Sequence, residues 1–251
     1  MHYDPVQALA AIDAHRPAVL ACLVLALGFS FVYFLIAVRM ALRQKVYVEP
    51  FLGASVFFWH DLSFAANWPV WQSEYGGHWW LAMWSIGLCG TVALEAFLIW
   101  QFIRYGHEEI MPSATRPQFA ALTIAGVLGV GAMWWLVKET LDDPLFFVTF
   151  AITAIWSTPF HTGIMLRRRN TLGQSVAMNA SVVVIFAAVS AALMIAVPAF
   201  RSLPYYAFLA VFLLWPIVNI AMIRKFDRAA AGTRAAPEPT IIGHKPIPAS
   251  S

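Results

Sequence analysis

The chain has 251 residues, of which 61% are apolar and only 12% charged, with a mean hydropathy of +0.70 and a formal net charge of +3. An ordinary soluble domain carries roughly 45–50% apolar and about 25% charged residues, so this composition excludes a water-soluble globular protein. The basic isoelectric point, about 9.0, comes from the flanks of the apolar segments; it needs no nucleic acid to explain it and suits contact with anionic lipid headgroups.

Residues 1–16 (MHYDPVQALAAIDAHR) have no basic stretch ahead of an apolar run. They are expected to form an N-terminal extramembrane segment rather than a cleaved signal peptide. Seven apolar blocks follow, at 17–40, 51–71, 79–102, 118–137, 145–166, 174–197 and 204–223. Each is about 20 residues long, enough to cross a hydrocarbon layer of roughly 30 Å. They predict an all-α membrane domain over 17–228, a seven-transmembrane-helix bundle with short connections and antiparallel neighbours.

Basic residues cluster on alternate loops: Arg39, Arg43 and Lys45; Arg104 and Arg116; Arg167, Arg168 and Arg169; then Arg224, Lys225, Arg228, Arg234 and Lys245. Only Arg16, Lys138 and Arg201 are left for the other side. The positive-inside rule then puts the N-terminus outside and the C-terminus in the cytoplasm, in a bacterial inner membrane. Residues 229–251, rich in Ala and Pro, are expected to be a disordered cytoplasmic tail.

Span one adds little beyond Cys22, which like Cys89 in span three reads as a small buried hydrophobe. Span two carries Trp59, His60 and Asp61 about ten residues in, near the bilayer centre, with Ser63 and Asn67 continuing a polar stripe from His60. A charged Asp at that depth costs at least ~2.5–3.5 kcal/mol on insertion scales, so it should face protein or a wet cavity. Span three supplies Glu95 with Thr91 four residues before it, and Trp100 deeper than an interfacial residue should lie.

Span five carries Thr149, Thr153 and Ser157 ahead of His161, and Pro159 is expected to kink that helix. The Arg167–Arg169 run reads as a solvated flank. Span six offers Ser175 and Asn179, and span seven Trp215 and Asn219. Trp68, Trp71, Trp79, Trp80, Trp134 and Trp135 fall at span ends, as an aromatic belt would, although some suit cavity walls instead.

The depths let Asp61, Glu95, His161, Asn179 and Asn219 surround one polar chamber. Each has a plainer role as interhelical glue. The sequence contains no zinc, nucleotide or dinucleotide motif, so neither a metal nor a cofactor is expected. A carboxyl in an apolar chamber suits general-acid chemistry on a lipophilic molecule, with aromatic faces shielding a cation. Asp61 is the expected proton donor, Glu95 or His161 the acceptor, and His60 an orienting neighbour. Trp59, Ser63, Asn67, Thr91, Trp100, Ser157, Asn179, Trp215 and Asn219 are candidate substrate contacts. Proton-coupled solute transport and a non-catalytic membrane subunit use the same furniture, and residue patterning leaves all three open.

Two stretches bear on the choice. VYVEPFLGASVFFWHDLSF leads through a short loop with Tyr47 and Pro50 into a Trp followed at once by polar residues, and MLRRRNTLGQS is an Arg-rich loop with a Gly. With the span count, they make the chain resemble the paxilline-type integral-membrane terpene cyclases. The resemblance implies seven spans and a cyclase or isomerase acting on an isoprenoid without a redox cofactor. It also implies a proton-donating acid just after the second-span Trp, partnered by an acid in the last span. Here His60 follows Trp59 and the acid is Asp61, one place later; the last span has Trp215 and Asn219 but no acid.

Overall fold

The computed structural model describes residues 3–153 and 157–235. Along the chain run α1 (Pro5–Ala14), α2 (Arg16–Gln44), α3 (Phe51–Ala66), α4 (Trp68–Ser73), α5 (Trp79–Tyr105) and α6 (His107–Ile110). Then come α7 (Arg116–Leu141), α8 (Phe147–Ile152), α9 (Thr158–Arg168), α10 (Val176–Ala196) and α11 (Leu203–Ala235).

Five of these, α2, α5, α7, α10 and α11, are long and apolar enough to cross a membrane. Their outer faces carry Leu128, Leu136, Leu214 and Ile217, each at least half exposed. Large apolar side chains displayed in that number along long helices are at home only against lipid. The chain is a helical membrane protein with several apolar spans.

The expected seven-helix bundle is therefore corrected: among the described residues five helices qualify. The block at 51–71 breaks at Asn67, where Pro69 starts α4. What remains, α3, has 16 residues, about 24 Å at ~1.5 Å per residue, short of a ~30 Å hydrocarbon layer. It is an interior helix, burying Gly53, Ala54, Ser55, Val56, His60, Asp61, Ser63 and Phe64. The block at 145–166 is divided between α8, six residues, and α9, eleven. Pro159 does not kink a span; it occupies the first turn of α9, where its missing N–H has no intrahelical partner to lose. Five crossings, like seven, are an odd number, so the lower count does not by itself bring the two termini to one side.

Packing follows from these lengths. α2 lies along α10, α3 along α5, α10 along α11, and α7 covers α3. Gly131 lets α7 approach the Trp59 ring, whose Nε1 donates to the Val127 carbonyl at 2.7 Å. Phe146 enters α8 with φ of 62°, a left-handed conformation that costs a bulky residue about 1–3 kcal/mol. Its ring is held between Phe64, Trp71 and His60.

The two ends of the bundle are tied by polar contacts. At one, Arg168 donates to the Glu109 carboxylate and, at 3.1 Å, to the Tyr47 carbonyl, while Gly173 donates to Gln44 at 2.7 Å. The side chain of Arg168 is only 6% exposed, so this member of the arginine run is a buried clasp and not a solvated flank. At the other end Tyr3 donates to Asp143 at 2.6 Å, and Trp79 donates to Asp13 at 2.6 Å. Burial beside Asp143 pushes the Tyr3 hydroxyl well above its ordinary range. The tryptophans do not form a uniform belt either: Trp71, Trp80 and Trp134 are buried, whereas Trp68 and Trp135 are exposed. α11 runs to Ala235, past the start of the expected tail, and residues 236–251 lie outside the described residues.

Candidate functional site

Between α2, α3, α5 and α10 lies a cavity of about 90 Å³ bordered by three acids, Glu49, Asp61 and Glu95. All three are at least 95% buried. Most of the remaining wall is apolar or aromatic, including Phe34, Phe57, Trp84, Phe150 and Phe186. The lining is that of a small-molecule site, predominantly apolar with a few convergent polar groups.

The acids form two groups. In the first, Asp61 on α3 takes a hydrogen bond from the Thr91 hydroxyl on α5, and His60 Nδ1 lies 2.7 Å from its Oδ1. Glu95, one turn beyond Thr91 and so on the same face of α5, is in side-chain hydrogen-bond contact with Asp61. Its Oε2 is buried and has no hydrogen-bond partner among the described residues.

In the second, Glu49 sits just before Pro50, which caps α3. Its carboxylate accepts from the Tyr33 hydroxyl on α2 and from Ser157 Oγ at 2.9 Å, and His161 Nε2 on α9 lies 3.1 Å away. The same His161 nitrogen is 3.4 Å from the Tyr33 hydroxyl. Three donors converging on one buried carboxylate satisfy it without a cationic side chain.

Of the residues singled out in the sequence, the structure thus brings Asp61, Glu95, Thr91 and Ser157 to the cavity wall, with His60 and His161 directly behind the acids. The others do not line this cavity. Trp59 faces α7. Ser63 donates to backbone carbonyls of its own helix and accepts from Trp134 Nε1 at 3.0 Å. Asn67 occupies the α3–α4 junction, and Trp100 is 46% exposed, stacked on Phe97.

Asn179, Asn219 and Trp215 belong to a separate knot. Asn219 Nδ2 donates to Asn179 Oδ1 at 3.0 Å and to the Thr158 carbonyl at 3.1 Å, while Trp215 Nε1 donates to Thr162 Oγ1 at 2.8 Å. The knot joins α9, α10 and α11, and depth in the membrane alone does not separate it from the cavity.

Sequence reasoning passed over Glu49 and Tyr33. A glutamate beside a proline in an interhelical loop reads as solvated, and a lone tyrosine in an apolar span reads as filler. The one available signal is that Glu49 stands within VYVEPFLG, among apolar neighbours. Among the described residues no three of His, Cys, Asp and Glu are grouped to hold a metal ion. Comparison with protein-family models, curated proteins and solved structures finds no match.

Proposed function

We propose that this protein is a membrane-embedded isomerase or cyclase that protonates an isoprenoid-like, lipophilic substrate within the cavity and removes a proton elsewhere from the same molecule. The single observation that supports it most is the placing of two differently bonded carboxyl groups on one aromatic-walled cavity. The resemblance to terpene cyclases points the same way.

Two carboxyl groups in hydrogen-bond contact need a proton between them, as in the paired acids of aspartic proteases. Asp61 already takes donors from Thr91 and His60, which suits the ionised partner. Glu95 then holds the proton, and its place on the cavity wall lets it pass that proton to the substrate. This moves the donor role from Asp61, where the sequence placed it, to Glu95, one of the two residues expected as acceptor. Glu49, with three donors on its oxygens, suits a carboxylate base.

In the forward step the Glu95 O–H bond breaks and a C–H bond forms at one carbon of an alkene, leaving a cation on its neighbour. The faces of Phe57, Trp84 and Phe150 stabilise that cation by attraction to the ring quadrupole. Glu49 takes a proton from an adjacent carbon, and the electron pair of that C–H bond closes a new double bond. One proton enters and one leaves, so substrate and product are isomers. The two carboxyls exchange protonation states and are reset by proton return between turnovers.

The test uses purified full-length protein in lipid nanodiscs with a panel of prenylated substrates, products being read by mass spectrometry. A rearranged isomer is expected; Glu95→Gln abolishes it and the exposed loop control Asp142→Asn keeps it. Turnover persisting in Glu95→Gln, or proton flux into proteoliposomes without any product, overturns the reading.

A further inference from the structure

At the end of the bundle where Arg168 clasps Glu109, a groove of about 540 Å³ opens between the start of α3, α5, α6, α7 and α9. It shares no lining residue with the acid-bordered cavity. Ligand clefts run to about 300–1,000 Å³, so this one has room for a hydrocarbon chain. Of its lining residues Phe102, Phe119 and Ile164 are buried, whereas Leu122 and Phe160 are exposed. Leu122 belongs to α7, one of the helices able to cross the membrane, so the groove opens to the hydrocarbon layer. Gly126, also in the wall, lies ten residues from the start of α7 at Arg116, about 15 Å at ~1.5 Å per residue. The groove thus runs from the polar end of the bundle into the acyl region.

Three lining residues carry polar side-chain groups: Tyr47, Thr123 and Arg167. Two are engaged within the protein, the Tyr47 hydroxyl donating to Glu109 at 3.1 Å and the Thr123 hydroxyl to the Phe119 carbonyl at 2.8 Å. Arg167 differs. Its side chain is 44% exposed, and its Nη2 lies 2.7 Å from Glu109 Oε1. That carboxylate is already held by Arg168, which donates to both of its oxygens. Two guanidiniums on one carboxylate leave one positive charge over, at the mouth of an oily groove.

We propose that the groove is a binding site for an anionic phospholipid of the bilayer, its phosphodiester on Arg167 and one acyl chain along Phe51, Leu122 and Phe160. A guanidinium presents five donors in a planar fork that suits phosphate oxygens, and the contact to Glu109 engages only one of its nitrogens. The single surplus charge matches the single negative charge of a phosphodiester; a prenyl diphosphate brings more charge than this rim neutralises. A zwitterionic headgroup sets its ammonium beside Arg167 and Arg168 and is disfavoured by repulsion. Binding here does not depend on the proton chemistry proposed above, and either can fail alone.

The measurement is native mass spectrometry of the purified full chain in detergent, titrated with phosphatidylglycerol or phosphatidylcholine of identical acyl chains. Phosphatidylglycerol is expected to bind about fivefold more tightly, the usual effect of one basic residue on an anionic headgroup. Arg167→Gln removes that preference. Arg104→Gln, which loses the same charge from an exposed position outside the groove, keeps it. Gly163→Leu tests the hydrocarbon half: a Cβ there meets nothing within 4 Å, so leucine takes up groove volume without a clash and weakens the binding of both lipids. Equal binding of the two lipids by the native protein, a comparison that needs no variant to fold, overturns the proposal. So does a preference that survives Arg167→Gln, an equal loss in both arginine variants, or unchanged binding in Gly163→Leu. Displacement of phosphatidylglycerol by farnesyl diphosphate at lower concentration also overturns it, and assigns the groove to isoprenoid phosphates instead.

Discussion

At Glu49 the two demands on a buried carboxylate, satisfaction and reactivity, are separable by substitution. Tyr33, Ser157 and His161 all direct donors at it. Glu49→Gln keeps an oxygen for them and removes the basic group, so the thermal melting point should stay near that of the native protein while turnover falls by about 10²–10⁴. Glu49→Leu strands the donors, each at about 1–3 kcal/mol, and should lower the melting point as well. A Glu49→Gln protein with undiminished turnover would reduce Glu49 to a structural acceptor. The residue scale is also where sequence reading went furthest. Asp61, Glu95 and His161 stand out because an ionisable group in an apolar run demands a partner. Glu49 does not stand out, because the loop that carries it folds inward.

Single helices are held by contacts of quite different strength. α7 rests on α3 where a Cβ at Gly131 would come within 2.3 Å of the Trp59 ring, whereas Gly129, two residues earlier, has nothing within 4 Å. Gly131→Ala should therefore destabilise by about 1–3 kcal/mol through overpacking. Gly129→Ala should be neutral or gain up to about 1 kcal/mol from helix propensity. Thermal melts of the pair in one detergent decide it, and equal shifts would mean that α7 does not pack as described.

α1 is latched more lightly. Asp13, hydrogen-bonded by Trp79 and faced by His78 and Arg16, is held below the usual carboxylate range. A carboxyl whose folded pKa is depressed stabilises the fold above its unfolded pKa, about 3.9, and loses that contribution as pH falls through the folded value. Asp13 is more than half exposed, so the effect is a fraction of a kcal/mol. Hydrogen exchange in α1 should be faster in Asp13→Asn than in the native protein at pH 7, and the difference should shrink as acid protonates Asp13 in the native protein. A difference that persists in acid would assign the latch to other contacts.

Helix boundaries show why the span count misled. Apolar length measures what a segment can bury, not whether lipid or protein covers it. Asn67 with Pro69, and the Ser157–Thr158–Pro159 junction, were readable as breaks. Each instead passed for a tolerated irregularity within an apolar block.

Taken whole, the molecule puts five long helices against lipid and encloses shorter, polar-bearing helices within them. Composition announced the membrane, since 12% charge leaves no soluble alternative. It was silent on the interior, because α3 is as apolar as a span while its His60, Asp61 and Ser63 are buried in protein. That enclosure allows buried acids to border an oily cavity, and the proposed chemistry depends on it. The direct measurement is turnover in deuterium oxide: an alkene isomerised by protonation from Glu95 should yield product one deuteron heavier at a single carbon, with none in Glu95→Gln. A product formed without deuterium would contradict proton-initiated isomerisation in this cavity.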